Sequence, residues 1–160
     1  MKRFLTLASI AAMFATLSLA APAGAQTSGD PEVFFVAPAV IVNPFQPDTA
    51  RIVGVYRCFG GDPIHLWVSA KQGGPDPTAE GSGATSTAWY DTNVIEPAPV
   101  TCDGRYHTAF VTVGRHPDKA ELTSGQAWIQ FCLVAPDPTG QSEFGIVASQ
   151  SEWAPVFGAF

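Results

Sequence analysis

Three histidines, three cysteines and a serine between two glycines are the side chains of this sequence with chemistry to offer. His65, His107 and His116, taken with Cys132, would supply imidazole and thiolate ligands suited to zinc or copper. Their spacing matches none of the usual zinc patterns. His107 follows Asp103 closely enough to buttress a turn there, and His65 falls on an outward strand position. Ser82 lacks the G-x-S-x-G setting that holds a nucleophile on a strained turn; Gly81-Ser82-Gly83 lies in a polar loop instead. Paired carboxylates of the glycosidase kind are a matter of space and leave no trace in a sequence. The acidic residues here stand mostly in Asp-Pro and Asp-Gly contexts, where their ordinary work is local hydrogen bonding. The chain is therefore read as non-enzymatic, with no catalytic residue, no metal ligand and no cofactor assigned.

The cysteines must be positioned by strands. Residues 51–59 (RIVGVYRCF) place Ile52, Gly54, Tyr56 and Cys58 on one face, and Val53, Val55, Arg57 and Phe59 on the other. The arginine at Arg57 marks the second face as the one that meets solvent. Cys102 sits two residues after Val100, in the same inward phase. Cys132 falls with Trp128 and Gln130, opposite Ala127, Ile129, Phe131 and Leu133. Phase favours a Cys58–Cys102 disulfide over Cys58–Cys132, although a register slip would reverse the argument. A Cys58–Cys132 bond has the logic of antibody-type domains, whose sheets are joined through distant strands. The residue two before Cys132 is Gln130, not the tyrosine of a tyrosine corner.

Around these lie further strands and turns. Residues 32–42 are apolar with Pro38 in the middle, which predicts an edge strand or two half-strands kinked there. In residues 64–70, Ile64, Leu66, Val68 and Ala70 face in, while His65, Trp67 and Ser69 face out, with Lys71 continuing that phase. Residues 72–87 form one long polar loop, and 88–90 a short strand. Asp103-Gly104 predicts a hairpin between a strand ending at Cys102 and another at 105–113. Residues 118–122 suit a single helical turn, 126–134 and 144–149 are strands, and 153–160 are an apolar tail docking on the domain. Seven or so short antiparallel strands with turn signals between them predict an all-β, immunoglobulin-like β-sandwich with one disulfide.

The N-terminus reads as a targeting segment. Lys2 and Arg3 precede an apolar run that stops at Pro22, and Ala23-Gly24-Ala25 has the form of a cleavage site. Residues 1–25 are thus a signal peptide cut after Ala25, and 26–160 a single secreted domain with no membrane span. Loss of Lys2 and Arg3 leaves six basic residues against fourteen acidic ones, a net charge of −8, with no basic stripe. That balance disfavours nucleic acid and anionic membranes as partners. Phe160 ends the chain as in many outer-membrane barrels, but the short strands and prolines argue against that architecture.

The segments Gly54-Val55-Tyr56-Arg57-Cys58, Cys102-Asp103-Gly104-Arg105-Tyr106-His107 and Leu122 to Ile129 resemble a family of small secreted actinobacterial proteins of unassigned biochemical function. The resemblance covers about half of the chain and implies a disulfide between Cys58 and Cys102. Cys132 and the long segment from Trp89 to Pro99 depart from it. The expected function is binding of an extracellular or cell-envelope protein partner. Trp67 and Trp128, on outward faces, mark the surface where an apolar patch is expected. The alternative is a secreted protease inhibitor that presents the 72–87 loop as an extended bait.

Overall fold

The computed structural model describes residues 29–60, 65–95 and 100–159. The signal peptide assigned to residues 1–25, the cut after Ala25 and the position of Phe160 lie outside them. Among the described residues there is no α-helix, and no helix is long and apolar enough to cross a membrane.

Eight strands form the body: β1 (Glu32–Val36), β2 (Val40–Asn43), β3 (Gln46–Arg57), β4 (His65–Gln72), β5 (Ala88–Asp91), β6 (Tyr106–Arg115), β7 (Gly125–Pro136) and β8 (Phe144–Phe157). Pro38 separates β1 from β2, so the apolar run is two half-strands, both paired with β3. A proline cannot donate to the ladder, and the chain bends where the donor is missing. Strand period two then sorts each remaining segment. Leu66, Val68 and Ala70 of β4 are buried inside, as are Ala127, Ile129, Phe131 and Leu133 of β7.

The all-β class and the single disulfide hold, but the expected immunoglobulin-like sandwich gives way to a barrel. The circuit runs β2–β3–β6–β5–β4–β7–β8 and returns to β2, seven strands in one closed sheet. The closing pair is parallel, Val40 opposite Val156 and Ile41 opposite Phe157, while the other pairs of the ring are antiparallel. Closure satisfies edge strands that a sandwich would leave open. The interior is a packed core, with Ile52, Tyr56, Leu66, Val111, Val113, Ile129, Phe131 and Leu133 almost wholly buried.

Three local expectations are corrected. The apolar tail does not dock separately: it continues the last strand, because β8 runs unbroken to Phe157 along β7. No helical turn forms over residues 118–122; a turn from Lys119 N–H to the His116 carbonyl and a lone bridge of Ala120 to Ala88 replace it. The hairpin at Asp103-Gly104 is absent too. Asp103 caps its own turn by accepting from Arg105 N–H at 2.9 Å, and β6 pairs along nearly its whole length with β3.

Candidate functional site

Cys58 and Cys102 are bonded, which leaves Cys132 as the free cysteine of the described residues. The bond closes the end of the β3–β6 ladder beside the Arg57–Tyr106 pair, and Gly104 N–H donates to the Cys58 carbonyl at 2.9 Å. It joins neighbouring strands of the barrel and is a structural clamp.

The three histidines lie apart. His107 Nε2 meets Asp103 Oδ1 at 2.8 Å, the contact its spacing suggested. His65 stands edge-on to Phe144 with ring centroids 4.7 Å apart. His116 stacks on Trp89 at 3.5 Å and faces the buried Asp91 carboxylate at 3.2 Å. The described residues bring no three His, Cys, Asp or Glu side chains together.

Cys132 points outward as its phase requires, yet it is buried. Burial pushes its thiol up to about 11, only partly offset by the Lys71 ammonium. At neutral pH the sulfur is a protonated thiol, and thiols are poor nucleophiles. Iodoacetamide should therefore leave the native protein unmodified at Cys132 and label it fully once the chain is unfolded in denaturant. Mass spectrometry of the two digests distinguishes this from a reactive cysteine, which would be labelled in both.

The outer face of β4 and β5 is covered by the long loop. Residues 73–87 fold back over β4 and β5 around a single 3-10 turn, Ser82–Ala84. Ser82 Oγ accepts from Lys71 Nζ at 2.9 Å and donates to the Pro77 carbonyl at 2.8 Å, and Ser86 Oγ donates to the Ser82 carbonyl at 2.8 Å. Lys119 Nζ holds the far side through the Ala84 carbonyl at 2.7 Å. Gly83 rests on the Trp89 indole so closely that a Cβ there would lie 2.5 Å from the ring. Ser69 and Lys71, outward by phase, are therefore buried. Lys71 and Ser82 are placed like a Ser-Lys nucleophile pair, but the Ser82 proton is engaged by Pro77 and its hydroxyl is buried. The pair ties loop to barrel.

Trp128 packs against Trp153 in a T-shape with ring centroids 5.5 Å apart, and Trp153 itself is 47% exposed. A further exposed aromatic set lies on β1 and β6, either side of β3. A bulge between Val33 and Phe35 shifts the β1 register, so Val33 still faces Tyr56 while Phe35 faces Val55. One extra residue in the strand turns two successive phenylalanines outward. Phe34 is 62% exposed and Phe35 also open, and Phe34 leans on Tyr106 with centroids 5.3 Å apart. Across β3, Val53 pairs with Phe110, which is 67% exposed. Arg57 lies 4.8 Å above the Tyr106 ring and 2.9 Å from Glu32.

No family model, no curated protein and no solved structure matches this chain.

Sequence reasoning overlooked the β1–β3–β6 wall. Its strongest signal was Phe34-Phe35, two adjacent aromatics that regular alternation would have sent to opposite faces.

Proposed function

We propose that this is a secreted, non-enzymatic binding protein, exported by a signal peptide cut after Ala25, that engages an extracellular or envelope protein through the β1–β3–β6 wall. The observation that carries the reading is the exposed set Phe34, Phe35, Tyr106 and Phe110, on strands either side of β3. Soluble monomers seldom leave such a patch open without a use for it, and exposed aromatics are enriched where proteins meet. Charge supports the direction of fit. Of the six basic residues after Ala25, Arg51 lies on this wall and Arg105 adjoins it, both exposed, while Arg57 is already paired with Glu32. A partner with an apolar centre and an acidic rim matches it. The disulfide fits an oxidising compartment such as the cell exterior.

The inhibitor alternative needs a protruding, extended loop. Residues 73–87 are folded back and hydrogen-bonded to β4 through Lys71, so nothing favours it.

The test is capture of partners from culture supernatant and envelope fractions with the folded protein and with Phe110→Glu. Burying a charge where an aromatic anchor sat should cost about 2 kcal/mol or more, roughly a thirtyfold loss of affinity. Unchanged capture by Phe110→Glu and by Phe34→Glu, with native circular dichroism in both, removes this wall from the function.

A further inference from the structure

Beyond the partner surface, a second site lies under the loop. A groove of about 300 Å³ separates the loop from the outer face of β4, β5 and β7, with Trp67, Lys71, Trp89 and Gln130 along the barrel and Thr78 and Glu80 on the loop. Its size falls at the small end of ligand pockets, room for one compact molecule.

Its chemistry is set by Lys71. This side chain is 2% exposed, and burial drives its ammonium below the ordinary lysine range. Among the described residues its one hydrogen bond goes to Ser82 Oγ, and no carboxylate pairs with it. An ammonium has three protons to donate, so the single bond to Ser82 leaves two of them without a partner among the described residues, beside a groove that Lys71 helps to line. A buried cation with no counter-ion is costly, and an anion bound beside it recovers that cost. Trp89 Nε1 is a second buried donor with no acceptor. The remaining lining is mixed. The Trp67 indole offers an apolar ring, while the Gln130 amide, the Thr78 hydroxyl and the Glu80 carboxylate offer hydrogen bonds. Flat apolar surface beside several hydrogen-bonding groups suits a ring that is apolar on its face and hydroxylated at its rim.

We propose that this groove binds a small hydroxylated ring bearing a carboxylate, of the uronic acid class. The carboxylate sits on Lys71, the ring face lies against Trp67, and ring hydroxyls meet Gln130, Thr78 and Glu80. The loop is the roof of the site, with Gly83 seated on Trp89 and Ser82 hydrogen-bonded to the lysine.

The experiment is an NMR titration of the full-length secreted protein with glucuronate, glucose and glucosamine, each to about 10 mM, following the four indole N–H resonances. Glucuronate should shift the Trp67 and Trp89 signals and saturate, with glucose at least about tenfold weaker and glucosamine weaker still. Lys71→Met keeps the aliphatic stem and removes the charge; it should weaken glucuronate about tenfold or more and leave glucose unchanged. Equal binding of glucuronate and glucose overturns the assignment of the lysine, and no shift at Trp67 or Trp89 overturns the site. The three-sugar comparison is read on the unsubstituted protein, so a Lys71→Met chain that failed to fold would not shelter the proposal.

Discussion

Replacing Cys58 and Cys102 together by alanine should lower the unfolding free energy by about 4 kcal/mol. The bond spans 44 residues of sequence, and the entropy of closing a loop of that length sets the figure in the chain-entropy treatment. The consequence is large because a domain of this size is typically stable by only ~5–15 kcal/mol. Position adds to length. The closed segment contains β4, the long loop and β5, which must reach the barrel wall by their own contacts once the clamp is gone. Both cysteines flank the β3–β6 ladder, so the clamp also keeps those two strands in register at one end. Urea denaturation of the double variant beside the parent protein checks this. A drop below about 1 kcal/mol would mean that the unfolded chain is already held together by other means.

Phe131→Ala should cost about 3–5 kcal/mol, the usual range for emptying a buried aromatic site. Its ring is fully buried in the barrel and fills the space above Gly54, where a built Cβ would lie 2.5 Å from Cε2 of the ring. Gly54 is thus a close-approach glycine, and any side chain there collides with the centre of the core. Gly54→Ala alone should destabilise by about 1–3 kcal/mol through overpacking. The two sites are coupled, so Gly54→Ala should be milder on a Phe131→Leu background than alone. A double-mutant cycle by chemical denaturation reads the coupling directly. Strict additivity would show that ring and glycine do not share one space.

Much of the fold was readable in advance. Alternation assigned the buried sets of β4 and β7 and the outward phase of Cys132. The turn that Asp103 organises with His107 was visible in their spacing, although the hairpin inferred from the same dipeptide was not formed. Little of either candidate site was readable. Lys71 and Trp89 come together with Thr78 and Glu80 only because the polar loop folds back over them. The loop has few apolar residues and is held by hydrogen bonds to distant partners such as Lys119, which no local pattern announces. The aromatic wall depends on the bulge between Val33 and Phe35, and a bulge is a property of two paired strands.

By itself, the order of amino acids determined that this chain is built from strands, which way most strand side chains point, and that its surface is acidic. Those are short-range matters, decided by a two-residue backbone repeat and by composition. Tertiary structure alone decided that the sheet closes on itself through Val40 and Val156, that Lys71 and Cys132 are buried, and that Phe34 and Phe110 are left bare. Each of these depends on segments far apart in the chain arriving at the same place, and a local pattern says which way a residue points without saying what waits on that side.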